Sequence, residues 1–211
     1  MKQNSIIFWT GILGVFLFVG STVIGGYLLP GYSHISQFIS ESYALGTPHG
    51  ESLRKFGFIP SGIFITVFSF VYPKVLPRTK MLTYSFYGLG IFYGFGTIFT
   101  SIFPCDLGCE MNEPSLAQLL HNLMGFLTYL IVPLCLILIG IKLKNLKNYA
   151  LFALISLVMG GIALLFVWIL FAEPNANFKG LYQRIVEGSI LFWILYAAKH
   201  VLKSTRSFGS L

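Results

Sequence analysis

Charge is what this sequence has least of. Only 10% of its 211 residues are charged, against about a quarter in soluble domains. A solvated shell around an ordinary soluble core is therefore excluded. Acidic residues are scarcest, with seven Asp and Glu against fourteen Lys and Arg. The chain has no H-E-x-x-H, no G-x-S-x-G and no C-x-x-C, so the common signatures of zinc proteases, serine hydrolases and thiol oxidoreductases are missing. Three cysteines are too few for a disulfide-rich secreted scaffold. Low-complexity linkers, obvious repeats and a separate soluble domain are missing too.

What the chain has is apolar length. Several runs exceed the ~18 residues that mark a membrane-spanning helix. Six spans are expected, at about 6–29, 56–72, 81–103, 116–141, 149–171 and 181–202. The second is the shortest, with room to start earlier because Arg54 and Lys55 can snorkel. All are expected to be helices, because backbone groups in lipid must be satisfied within the segment. The fold class expected is all-α, a single polytopic membrane domain over 1–211. The first run is too long for a signal-peptide core and no small-residue cleavage site follows Leu29-Pro30-Gly31, so it reads as an uncleaved span.

Basic residues set the expected orientation. With the N-terminus inside, every Lys and Arg except Arg54, Lys55, Lys179 and Arg184 falls on the cytoplasmic side, as the positive-inside rule asks. Both termini are then cytoplasmic. The net charge of +7 is accounted for by topology, and no nucleic-acid partner is expected. The acids Glu41, Glu51, Asp106, Glu110, Glu113, Glu173 and Glu187 all fall on the outer side, together with His34, His49 and His121. Acidic residues contribute little to insertion, so their one-sidedness points to chemistry on the outer face of the cell (plasma or inner) membrane.

Four segments carry that chemistry. After the first span, 31–53 has Ile35, Phe38, Ile39 and Tyr43 at helical spacing, with Ser33, Ser36, Gln37, Ser40 and Glu41 mostly on another face. A short amphipathic helix is expected there, either an interfacial linker or a cover over a site. After the third span, CDLGC places Cys105 and Cys109 around Asp106, and a structural disulfide is the leading reading on an oxidising face. Cys135 reads as a small buried hydrophobe. The fourth span opens with His121. The sixth opens LYQRIVEG, where Arg184 and Glu187 lie three apart on one helical face and can pair, or Arg184 can anchor a phosphate or carboxylate. In the third span Gly90 and Gly94, like Gly160 and Gly161 in the fifth, are packing signals.

The catalytic candidates are His121, Asp106, His34 and Ser36. In this expectation Asp106 orients one imidazole nitrogen of His121, leaving the other for proton transfer, and Ser36 or Ser40 supplies a hydroxyl. Substrate-binding candidates are Arg184, Glu187, Ser40 and Glu41. No cofactor is expected; a zinc site from His34, His49, His121 and Asp106 is the weaker alternative, since no pair has the i, i+4 spacing that makes such a site recognisable.

GYSHISQFISE, FPCDLGC, LLHNLMG and LYQRIVEGSILFW occur in that order. On these motifs the chain resembles the bacterial and archaeal membrane family named domain of unknown function 998, along nearly its whole length. It departs from the family at 41–50, reading ESYALG where S-E-L-G is usual. The resemblance implies about six spans and no established activity. More distantly the chain is similar to the Frag1/DRAM/Sfk1 group and to alkaline-ceramidase-like membrane hydrolases, which use a serine, an aspartate and three histidines around zinc; their H-x-x-x-H is missing here. The expected function is to bind or hydrolyse a lipid or lipid-linked substrate at the outer face, with membrane lipids as partners. The alternatives are a carrier or channel, an accessory subunit, and a thiol redox protein using Cys105 and Cys109.

Overall fold

The structure, a computed structural model, describes residues 2–173 and 176–204. Arg206, one of the basic residues assigned to the inner side, lies outside the described residues. Six long helices are joined by turns, with no strand among the described residues. They are α1 (Lys2–Leu28), α2 (Gly50–Val75), α3 (80–102), α4 (Leu116–Leu143), α5 (Ala150–Ala172) and α6 (Lys179–Ser204). Each packs on the next in chain order, and α6 returns to pack on α1, so the helices form a closed ring.

The side chains explain why a ring of this kind belongs in lipid. Large apolar residues point outward, including Phe16 at 72% exposure, Trp168 at 69% and Trp9 at 55%. Polar groups turn inward and find partners there: Ser61 Oγ donates to Gly14 O, Thr128 Oγ1 to Phe92 O, and Trp193 Nε1 to Ser156 Oγ. In water this distribution would be backwards; in hydrocarbon it gives the buried polar groups their partners. Five helices, α1, α2, α4, α5 and α6, are long and apolar enough to cross a membrane.

α3 departs from the expected third span in composition and in geometry. It is α-helical over Lys80–Leu89 and Gly96–Ile102, with a π-helical segment, Gly90–Phe95, between them. Its glycines, tyrosines, serines and threonines dilute its apolar residues. The glycines serve close packing: a Cβ on Gly94 would sit 2.6 Å from Thr66 N of α2, and one on Gly62 of α2 would sit 2.6 Å from Gly94 O. The two backbones touch there, as the small-residue pattern implies.

α2 begins at Gly50, six residues before the expected start. Arg54 and Lys55 lie inside the helix, where Arg54 Nη1 donates to Tyr43 O and Lys55 pairs with Glu51. Those partners let two cations continue a helix that hydropathy alone would begin later. The segment before it does not form the expected amphipathic α-helix. Ser33 Oγ and Gln37 Oε1 capture backbone N–H groups of Ser36 and Ser33, a local competition that disfavours α-helix. Only a 3₁₀ turn, Ile39–Tyr43, remains, and all five of its residues are buried against the bundle end.

The two halves of the ring differ. Toward the ends that carry Lys74, Lys142 and Lys199, fully buried aromatic residues plug the centre. Tyr72 stacks on Phe86 at 4.7 Å between centroids, and Trp193 meets Phe86 at 5.6 Å and Phe152 at 5.8 Å. The opposite half, where the acids gather, contains a cavity.

Candidate functional site

The cap of the cavity is built from two cross-linked loops. In the first, Glu41 closes the 3₁₀ turn on itself: its Oε1 accepts from Phe38 N–H and its Oε2 from Gln37 Nε2. Lys179 lies 4.0 Å from the same carboxylate and over the Phe38 ring. Arg184, on α6, holds the preceding turn. It donates to Gln37 O at 2.9 Å and to the Tyr32 hydroxyl at 2.6 Å, and Leu181 N–H donates to Ile35 O. Burial raises the Tyr32 and Tyr43 hydroxyls above the ordinary tyrosine value, so both stay protonated donors.

The second loop is the CDLGC stretch. Cys105 and Cys109 are disulfide-bonded, with Gly108 in the left-handed region at φ 79° to turn the chain between them. Leu45 N–H donates to Cys105 O, tying the two loops together. Asp106 accepts from both the backbone N–H and the hydroxyl of Ser115, at 2.8 and 2.7 Å, while Ser115 Oγ accepts from Gln118 N–H as the N-cap of α4. Those bonds, the backbone N–H first, hold the Asp106 carboxyl below its ordinary value. Asp106 therefore fixes the start of a helix, where its charge also meets the positive end of the helix dipole.

Beneath the two loops is a cavity of about 700 Å³. Its deep wall is polar. Glu187 of α6 is 8% exposed and receives one hydroxyl on each oxygen, Tyr93 of α3 at 2.6 Å and Tyr129 of α4 at 2.8 Å. His121 lines the cavity from the first turns of α4, with Nδ1 3.1 Å from Thr100 O and 3.0 Å from Phe103 O. Two carbonyls are acceptors only, so Nδ1 carries a proton, and when the ring is neutral Nε2 is its bare nitrogen. The rest of the lining is mainly aromatic and small, among it Phe18, Tyr43, Gly96, Gly125, Phe126 and Phe171.

The expected constellation is thus divided. Glu187, His121 and Ser40 line one cavity, whereas Asp106, His34, Ser36, Arg184 and Glu41 do not. Asp106 does not orient His121; the Thr100 and Phe103 carbonyls hold that ring instead. Arg184 and Glu187 do not pair, because the arginine turns to the loop at Gln37 and the glutamate to two tyrosines. His34 stands exposed against Tyr32, where burial and the Arg184 charge lower its basicity. His49 is exposed at the start of α2. Among the described residues no three His, Cys, Asp or Glu side chains come together to hold a metal, so the four zinc candidates do not fit a common ion.

With the geometry in place, the comparison with known proteins is decided by one match. The family described as a protein of unknown function (DUF998) matches residues 12–200. The chain belongs to that family. Among curated proteins and among solved structures, nothing matches it. For this DUF998 chain the match spans both capping loops, the disulfide and all three members of the Tyr93–Glu187–Tyr129 group.

Sequence reasoning missed Tyr93, Tyr129 and Gln183. Tyr93 sits inside the glycine-rich run, where only the glycines drew notice, and Tyr129 follows Thr128 in an otherwise apolar stretch. The usable signal was Glu187 itself: a carboxylate within a span needs a donor at the same depth, and tyrosines in other spans are the polar groups able to provide one. Gln183 bonds the capping loop by accepting from Ile39 N–H at 2.7 Å.

Proposed function

We propose that this membrane protein binds an amphiphilic ligand, a lipid or lipid-linked molecule, in the cavity at the outer end of its helix ring. The observation that carries this reading is the shape and lining of the chamber. It is closed at one end by the Tyr72–Phe86–Trp193 plug and covered at the other by two tied loops, and its lining mixes apolar rings such as Phe18, Phe126 and Phe171 with polar groups, among them Glu187, His121 and Asn122. A volume of about 700 Å³ falls within the ~300–1,000 Å³ of typical ligand sites. The aromatic plug favours a binding chamber over a channel, because the ring has no open axis through its buried half.

In the membrane this reading takes α3 as a sixth span. At about 1.5 Å per residue, 80–102 reaches about 34 Å, enough for a hydrocarbon core of about 30 Å, and it packs in sequence between α2 and α4. Both termini then face the cytoplasm, with the basic ends of the helices, and the chamber faces outward. A second reading rests on His121: its bare Nε2 makes it a base able to deprotonate water on a bound ester, which would make the protein a lipid hydrolase.

The test is native mass spectrometry of the protein in a mild maltoside detergent, beside a Gly125→Leu variant that fills the chamber. Retained lipid in the wild type and none in the variant is the expected result. Equal retention in both would place the lipid elsewhere and end the proposal.

A further inference from the structure

The chemistry of the deep wall selects among amphiphiles. Glu187 is a buried acceptor whose two oxygens are each engaged by a tyrosine hydroxyl. Neither hydroxyl neutralises the carboxylate. Among the described residues the carboxylate ion pairs are Lys55–Glu51 and Lys179–Glu41, so no lysine or arginine lies within ion-pair reach of Glu187. Ionised, Glu187 is a buried charge without a countercharge, a costly state that either a proton or a cation in the adjoining space relieves. The adjoining space is the chamber. Its lining includes Phe18 and Tyr43 besides Tyr93 and Tyr129, and aromatic rings attract cations rather than anions at their faces. The one lysine in the lining, Lys179, is drawn off to Glu41 in the cap.

We infer that the chamber recognises a cationic ammonium head group, with Glu187 as its counter-ion and the surrounding aromatic rings as its walls. The inference rests on the reading of the chamber as an amphiphile site and names the head group that site takes. The tail has a way out. Phe126 of α4 and Phe171 of α5 both line the chamber near its rim, their centroids are 5.5 Å apart, and they are 47% and 45% exposed. Gly125 beside them would present a Cβ to open space. A head at Glu187 and an alkyl chain between α4 and α5 place each part of the ligand against matching chemistry.

The experiment uses the full chain in maltoside micelles with four probes. Three share one alkyl length: an alkyltrimethylammonium, an alkyl sulfate and an alkyl alcohol. The fourth is tetramethylammonium alone. Bound probe is counted by native mass spectrometry in the wild type and in Glu187→Gln, which keeps the shape and the capacity to bond both tyrosines. The expected result is that the wild type prefers the alkylammonium over the sulfate and the alcohol by about tenfold or more, and that Glu187→Gln erases the preference. Equal binding of all three alkyl probes in the wild type overturns the head-group inference and leaves the amphiphile reading standing, and that comparison needs no variant to fold. Tetramethylammonium binding as tightly as the long-chain cation supports the ammonium site and overturns the amphiphile reading. Binding of none of the four overturns both.

Discussion

Gly125→Leu tests whether the cavity is a working site or a packing gap, because its predicted effects have opposite signs with and without ligand. Gly125 lies on α4 and lines the cavity, and a Cβ added to it would meet no atom within 4 Å. The leucine therefore meets no wall at its Cβ, and its remaining carbons occupy ligand space. Replacing a helical glycine removes a cost of about 0.8–1.0 kcal/mol relative to alanine, most of which leucine also recovers. Without ligand the variant should melt at the same temperature as the wild type or higher. With an amphiphile at about 100 times its dissociation constant, the wild type should gain about 2.7 kcal/mol and the variant nothing. The order of stability inverts on adding ligand. The assay is a thermal scan in maltoside micelles with and without the alkylammonium probe, followed by tryptophan fluorescence. A variant that gains as much as the wild type would refute the site. A variant already destabilised without ligand would refute the open space at Gly125.

Three further outcomes follow from the cap. Replacing Cys105 and Cys109 together by serine should lower stability by about 2 kcal/mol, the chain-entropy value for a loop this short, in the same thermal scan. Asp106→Asn should leave ligand binding unchanged and flatten the acid limb of stability. The folded Asp106 carboxyl lies below its ordinary value of 3.8, so its contribution is complete above that pH and is lost as pH falls through the lower folded value; an unchanged acid limb in the variant would contradict the bonds to Ser115. Arg184→Lys should loosen the 32–37 turn and speed amide exchange at Leu181, whose N–H is held by Ile35 O. Loss of bound ligand with that exchange unchanged would instead make Arg184 a ligand contact.

Residue by residue, legibility followed the range of the interaction. Apolar length marks a helix locally, so the positions of α1, α4, α5 and α6 could be read directly. The close approach of α2 and α3 showed in Gly90 and Gly94, because a small residue leaves a mark in sequence that its partner need not confirm. Cys105 and Cys109 are four residues apart, and their bond is equally local; Cys135 is free and buried, as its position in an apolar run implies. The early start of α2 was harder, since it depends on Tyr43 offering a carbonyl to Arg54. The missing amphipathic helix was harder again: period alone favoured it, and side chains competing for the backbone won.

The site itself was beyond sequence for a physical reason. Composition and charge asymmetry by themselves determined a membrane protein with its acids at one end, because transfer into hydrocarbon acts on each residue separately. Which acids face a cavity is a different kind of fact. Glu41, Asp106 and Glu187 are indistinguishable as letters in polar neighbourhoods, yet one closes a turn, one fixes a helix start and one meets two tyrosines from α3 and α4. Those assignments depend on hydroxyls placed 58 and 94 residues from Glu187 and on the ring that brings α6 beside both. Only the tertiary structure decides them, because a hydrogen bond reads distance in space and carries no trace of distance along the chain.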